Sequence, residues 1–328
     1  MIVDGHLDLA YNTLVDGRDY ARSALAIRAD EAGGLIEASN GRCMVGLPEL
    51  LAGDVRLIIA TLFAMPRSEA GKGECGYVNQ QGAYEQARAQ LAIYERWAAE
   101  TEEFDLVRGA GDLDRPPGRV GIALLIENAE CIRSVADVEA FHAAGVRTIG
   151  PAWLIDNGLV IGRLTKEGRE LVDEMSRLGM ALDISHMPDG AIGEAAERHT
   201  GMLVASHANP RSHVMNSRHL PDFAIKAIAE RDGVVGVIPA AWTLPENTLD
   251  AACDAIEVVA EVAGSARHVA IGSDFDGGFG SEQTPDELDT VADLARLGER
   301  LAERGWSEGD VAGVLHGNWI RVLRGLYT

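Results

Sequence analysis

Apolar residues in this chain gather in short runs instead of alternating cleanly with polar ones. The runs at 2–8, 55–64, 119–127, 146–153, 180–186, 202–207, 234–239 and 269–274 are rich in Val, Ile and Leu. Unbroken apolar character over so few residues is expected of parallel strands covered on both faces. Helical stretches lie between them, at 77–102, 135–144, 165–178, 189–198, 221–231, 246–263 and 285–304. Gly145, Gly179 and Gly233 stand where helices should end. Thr165, followed by Lys166 and Glu167, is one residue short of a capping box. Strands alternating with helices predict an α/β fold, a (β/α)8 TIM barrel in preference to an open doubly wound sheet, as one domain over 1–328. The Gly-rich stretch 17–54 is expected to be a long loop or lid near the site, and 307–326 a helical appendage over one end.

The runs end on metal-ligand residues. His6 and Asp8 close IVDGHLD, Glu127 closes VGIALLIE, His186 closes MALDISH, His207 closes MLVASH and Asp274 closes VAIGSD. Each has an ordinary explanation when taken alone: a polar turn, a hydrogen-bonded loop histidine, a paired buried carboxylate, or an acidic turn where Asp276 follows Asp274. In a parallel barrel, however, the strand C-termini converge on one face. Ligand types on five runs therefore predict a two-metal site there. His6 and Asp8 are two apart on one strand, so they point the same way and can share an ion. His186 and His207 would hold the other ion, with Glu127 between the two.

Imidazole and carboxylate donors suit zinc first, with manganese, cobalt or iron as other options. Two such ions would bind a bridging water, lower its pKa and polarise a carbonyl. Asp274 would orient that water and move its proton. Many two-metal barrels are bridged by a carbamylated lysine. The lysines here are Lys72, Lys166 and Lys226, and none ends a predicted strand. A carboxylate bridge is the consistent choice.

Composition narrows the partners. The balance of 29 Lys and Arg against 51 Asp and Glu, a net charge of −22, argues against nucleic acid or an anionic membrane. A small-molecule substrate is expected, and a homodimer is left open. The opening MIVDGHLD places Asp and His where a secretory leader needs apolar residues, and no apolar run is long enough for a membrane helix. Cys43, Cys75, Cys131 and Cys253 form no CxxC pair. They read as buried or free thiols of a reducing compartment, and a cytoplasmic location is expected.

With these residues on view, the chain resembles the membrane (renal) dipeptidase family of zinc metallopeptidases. The resemblance is carried by DGHLDL, IENAE around Glu127, GRLTKEGRELVDEMSRLGMALDISHM around His186, SHANPRSHVMNSRHLPD after His207, GSDFDG at Asp274 and LHGNWIRVL near the C-terminus. The ordered set covers nearly the whole chain. The resemblance implies a binuclear zinc dipeptidase in which a metal-bridging hydroxide attacks the amide bond. It implies one zinc on His6, Asp8 and Glu127 and another on Glu127, His186 and His207, with Asp274 as the acid beside the bridging water. It also implies that Arg218, in NSRHLPD, clamps the substrate carboxylate, a task suited to a guanidinium fork.

One departure stands out. The family's dipeptidases usually place a histidine after the fourth strand, against the scissile carbonyl. Aligned by GVRTIGPAW, that position is Trp153, which offers only an N–H donor and an apolar face. The substrate could therefore be an N-acyl amino acid, a lactone or another amide, or the chain could be an inactive metal-binding barrel. His142, His199, His213, His219, His268 and His316 are expected to be structural or surface residues, with His213 and His219 near enough to touch substrate.

Overall fold

A computed structural model describes residues 1–70, 76–154 and 156–328. The strands are β1 (Ile2–Leu7), β2 (Val55–Phe63), β3 (Phe104–Leu106), β4 (Val120–Glu127), β5 (Val146–Gly150), β6 (Val160–Ile161), β7 (Arg163–Leu164), β8 (Ala181–Asp183), β9 (Leu203–Val204), β10 (Val235–Val237) and β11 (Val269–Ile271). Each of the eight predicted runs contains one of these strands, and the strands paired between them are parallel. β3 is an additional parallel strand beside β4, and β6–β7 is a small antiparallel hairpin.

The main sheet is a curled half-barrel in the order β1-β2-β4-β5-β8-β9, while β10 and β11 form a separate parallel pair. Regular ladders thus cover only part of the expected circuit. The two groups meet through a single bridge, Ala205 to Val235. On the other side the Asp274 N–H donates to the His6 carbonyl at 3.2 Å. Gly236 permits the close approach there: its N–H donates to the Ala205 carbonyl at 2.8 Å, its carbonyl accepts the Ala208 N–H at 2.7 Å, and a Cβ on it would lie 2.1 Å from the Ser206 carbonyl oxygen. Side chains bridge what the ladder does not. Asp183 accepts from the Ser206 N–H at 3.0 Å, and Asp4 from the Ser273 N–H at 2.8 Å.

Several strands are shorter than their apolar runs. β8 stops at Asp183, β9 at Val204 and β11 at Ile271, so His186, His207 and Asp274 stand three residues beyond their strands. Predicted helices recur at Gln80–Glu100, Val135–Ala143, Lys166–Arg177, Asp189–Arg198, Asp222–Glu230, Leu249–Ala263 and Ala295–Glu303. Thr165 caps its helix by accepting from the Gly168 N–H at 3.0 Å, as the incomplete capping box suggested. The segment expected to be an irregular lid contains three short helices, Ala24–Glu31, Leu35–Asn40 and Leu47–Ala52. Arg18 pairs with the buried Asp276 and with the partly buried Glu31. Cys43, Cys131 and Cys253 are free and buried, while Cys75 and Lys72 lie outside the described residues. Among those described, no helix is long and apolar enough to cross a membrane.

Two apolar layers follow from strand alternation. On β2, Ile58, Ala60 and Leu62 face the helices, whereas Leu57 and Ile59 belong to an inner core; on β4, Ile122, Leu124 and Ile126 oppose Ala123 and Leu125 in the same way. The inner core is completed by the Asn318–Leu326 helix, which contributes Trp319, Val322, Leu323 and Leu326. The predicted appendage is therefore a plug. The Trp319 indole donates to the Ile271 carbonyl at 2.8 Å and packs so closely on Gly5 that a Cβ there would lie 2.5 Å from the ring.

Candidate metal centre

Alternation carries the site above this apolar layer. The inward series Ala123, Leu125 on β4 continues to Glu127, and the series Leu57, Ile59 on β2 continues to Thr61. β1 needs an irregularity to do the same. Val3 faces the inner core, and an undisturbed strand would turn His6 and Asp8 outward. The register of β1 on β2 shifts between Asp4 and Leu7, and such a bulge reverses which side chains face in. Gly5 and His6 thus both point inward, the first onto Trp319 and the second into the site, while Leu7 packs outward.

The six predicted residues meet at one point. Glu127 divides its carboxylate: one oxygen lies 3.0 Å from His6 Nε2, the other 2.8 Å from His186 Nε2 and 3.6 Å from His207 Nε2. His186 Nε2 and His207 Nε2 are 2.8 Å apart. His6 Nε2 is 3.8 Å from an Asp8 oxygen and 4.0 Å from Asp274 Oδ1. Among the described residues, ligand atoms of His6, Glu127 and His207, and those of His6, Asp8 and Asp274, lie within 4.8 Å of one another. His6 therefore touches both halves of the cluster, a closer grouping than two ligand sets that share Glu127 alone, as the resemblance implied.

The donor set fits divalent metal. His6 Nε2 is buried and lacks a hydrogen-bond partner among the described residues. Ligand atoms around a tetrahedral zinc with bonds of about 2.0–2.1 Å stand about 3.3 Å apart, and the spacings here bracket that value. Charge points the same way. Asp8, Glu127 and Asp274 are all buried around one cavity, where Arg218 is the cationic side chain in the wall. Buried like charges need compensation. Although burial opposes ionisation, His6 and His186 hold the Glu127 carboxyl well below the usual range. Burial first, then neighbouring positive charge, lowers the His186 and His207 imidazoles toward the neutral form that ligates metal. At His6 burial is outweighed by the Glu127 and Asp8 charges, which raise the imidazole well above its ordinary value. Burial, with the Asp8 and Glu127 charges added, pushes the Asp274 carboxyl well up.

Local backbone serves these side chains. Asp274 and Asp276 adopt positive φ of 58° and 65°, and Asn128, directly after Glu127, has φ 62°. Non-glycine residues in this region tend to cluster at functional sites. Gly277 is required by the turn, because a Cβ there would lie 2.0 Å from Asp274 Oδ1.

The centre opens into a cavity of about 390 Å³ whose wall includes Tyr11, Phe63, Met65, Trp153, Arg218 and Trp242. Arg218 donates to the Ser185 carbonyl at 2.6 Å and the His207 carbonyl at 2.9 Å, beside His186 Nε2 at 3.2 Å. Trp153 lies with its ring 5.0 Å from Phe63 and 6.2 Å from His186. The expectation for the other histidines is divided. His219 is buried beside the site but pairs with the Val214 carbonyl at 3.0 Å, and neither it nor His213 lines the cavity. Lys166 and Lys226 are exposed. Sequence reasoning passed over Thr61, which donates to Asp8, and over Asp183, Ser185 and Ser206 behind the histidines. The signal was present: single polar residues inside otherwise apolar runs.

The family described as membrane dipeptidase (peptidase family M19) matches residues 1–327. An uncharacterized protein in the pqqA 5′ region of Klebsiella pneumoniae is 34% identical over 261 residues, 73% of this chain and 95% of that protein. Dipeptidase 3 of Mus musculus is 30% identical over 258 residues; the match covers 73% of this chain but 51% of that protein, so the chain spans about half the length of this mammalian relative. The crystal structure of a metallopeptidase from Rhodobacter sphaeroides, liganded with a phosphinate mimic of the dipeptide L-Ala-D-Ala, superposes with a TM-score of 0.79 at 23% identity, covering 99% of each chain. At that identity the last likeness speaks for the fold.

Proposed function

Because the chain belongs to the membrane dipeptidase family, peptidase family M19, we propose that it hydrolyses the amide bond of dipeptides at a two-metal centre. The observation that carries this reading is the divided Glu127 carboxylate, one oxygen toward His6 and the other toward His186 and His207. That is the placement a bridging ligand requires. Two divalent ions, zinc by the character of the donors, held by His6, Asp8 and Glu127 and by Glu127, His186 and His207, would supply an activated water and a polarised carbonyl.

The chain's own groups do the rest. Asp274, whose buried carboxyl takes up a proton readily, accepts one from the attacking water and returns it to the departing amine nitrogen. Arg218, its guanidinium fixed by the Ser185 and His207 carbonyls, receives the substrate carboxylate through charge-assisted hydrogen bonds. Trp153 and Phe63 form an apolar wall that excludes water from the reacting bond. The cavity volume suits a small-molecule substrate.

The same reading takes residues 1–328 as one domain and the half-barrel as a (β/α)8 barrel closed through Ala205–Val235 and Asp274–His6. It places the protein in the cytoplasm, in keeping with its free buried thiols, and leaves a homodimer open. The test is turnover of a dipeptide panel by zinc-supplemented protein. Hydrolysis of dipeptides bearing a free carboxylate is expected. Zinc-loaded protein that cleaves none of them would overturn the substrate assignment.

Trp153 favours a second reading. An indole stands where a carbonyl-contacting histidine is expected, so the bond cleaved could belong to an N-acyl amino acid, a lactone or another amide. Rates on those substrates far above the dipeptide rates would select it. Protein prepared without chelator that holds no metal would point instead to an inactive barrel.

A further inference from the structure

The rings of His6 and His207 lie side by side, with centroids 3.6 Å apart, and both turn Nδ1 to the same hydroxyl. Ser206 Oγ is 3.0 Å from His6 Nδ1 and 2.9 Å from His207 Nδ1. It is also 3.3 Å from Ser185 Oγ, which in turn donates to Asp183 Oδ1 at 2.5 Å. Asp183 Oδ1 further accepts the Ser185 N–H at 3.1 Å and the Ser206 N–H at 3.0 Å, and Ser185 Oγ accepts the His207 N–H at 3.3 Å. Asp183, Ser185 and Ser206 are all buried.

We propose that Asp183, Ser185 and Ser206 form a one-way hydrogen-bond relay that fixes His6 and His207 as Nδ1–H tautomers, leaving both Nε2 lone pairs for metal. This rests on the two-metal reading above and assigns positioning residues to it. The proton count decides the direction. A carboxylate only accepts, so Ser185 spends its single proton on Asp183. Ser185 then has two lone pairs, one for the His207 N–H and one for the Ser206 hydroxyl. Ser206, its proton committed to Ser185, has two lone pairs left, and these match two imidazole Nδ1–H groups. Each proton and each lone pair of the two serine hydroxyls is used once. In the reverse arrangement Ser206 donates to one ring. The contact between Ser185 and Ser206 then holds no proton, and that ring carries hydrogen on the Nε2 that faces Glu127, where it cannot ligate. In the proposed metal assignment His6 serves one ion and His207 the other, so a single hydroxyl sets a ligand at each.

Outer partners of ligating histidines change metal affinity by about 10–100-fold, and the two serines should divide that effect differently. Histidine-selective nitrogen-15 NMR of the zinc-loaded protein, paired with zinc competition against a chelator, reads both tautomer and affinity. In the wild type, both rings should show protonated Nδ1 and metal-shifted Nε2. Ser206→Ala should remove the exchange protection of both Nδ1 protons and weaken both ions by about 10–100-fold. Ser185→Ala frees the Ser206 proton to turn onto one ring, so one ion should weaken more than the other. A wild-type ring protonated at Nε2, or Ser206→Ala protein with unchanged spectra and zinc affinity, overturns the relay while the metal centre stands. Wild-type protein that binds no zinc overturns both.

Discussion

Gly5 and His6 are neighbours on β1, yet they border regions built on opposite principles. Below Gly5 the inside of the curled sheet is filled by apolar side chains and closed by Trp319, with the indole N–H paired. Above it, starting at His6, the same inward-facing rows carry Thr61, Glu127 and the strand-end histidines and acids, with four buried carboxylates around one cavity, of which Asp276 is paired with Arg18. The lower layer is stabilised by area removed from water and by packing. The upper layer works against folding unless opposite charge arrives, because buried carboxylates and imidazoles lose solvation that their mutual contacts do not fully restore. One layer serves stability and the other chemistry, and the β1 bulge is the step between them.

Substitutions on either side should therefore fail in different ways. Glu127→Gln, which keeps shape but removes the shared charge, is expected to lower kcat/KM by more than about 10³-fold with little loss of thermal stability. Asp274→Asn should reduce kcat by about 10²–10⁴-fold while the bound metal, measured by elemental analysis, is retained. Retained activity in either variant would remove the chemical half of the contrast.

Trp319→Ala acts on the other layer. It should destabilise by about 3–5 kcal/mol, read by denaturant titration, with kcat close to wild type in the fraction that remains folded. Unchanged stability would mean that the plug is not what closes the lower layer. Arg218→Lys sharpens the upper half alone. Loss of the planar fork should raise KM about 10–100-fold, the worth of hydrogen bonds to a charged group, for dipeptides but not for their C-terminal amides.

The smallest effect concerns pH. His219 is buried with Nδ1 donating to the Val214 carbonyl and Nε2 unpartnered among the described residues, and burial lowers its pKa to about 4. The unfolded chain, with an ordinary histidine pKa of about 6.5, binds the proton first. Stability contributed by the neutral ring is thus complete above about pH 6.5 and falls as pH drops toward 4. In chelator-stripped protein the loss between pH 7 and 5 should be on the order of 1 kcal/mol after screening, and His219→Asn should flatten it.

The upper layer was more legible in the sequence than the lower one. A histidine or acid closing an apolar run is a local signal, and parallel strands bring such ends together whatever their separation in sequence. His6, Asp8, Glu127, His186, His207 and Asp274 were readable for that reason. The strand ends were not. β8 and β9 stop early because Asp183 takes the Ser185 and Ser206 N–H groups out of the ladder, and no apolar pattern encodes a side-chain acceptor. The β1 bulge was hidden because a register shift depends on the neighbouring strand. The role of Trp319 was hidden for a related reason: an amphipathic terminal helix reads as a cover, and only Gly5 across the sheet makes room for it as a plug. The structured lid shows a further limit, since its short helices depend on long-range pairs such as Arg18 with Asp276.

The most direct test of the central claim is a zinc titration of chelator-stripped protein, followed by calorimetry, for the wild type and Glu127→Gln side by side. A shared carboxylate predicts two ions per wild-type chain and marked weakening of both in the variant. One ion or none in the wild type, or two ions bound unchanged without the Glu127 charge, would contradict it.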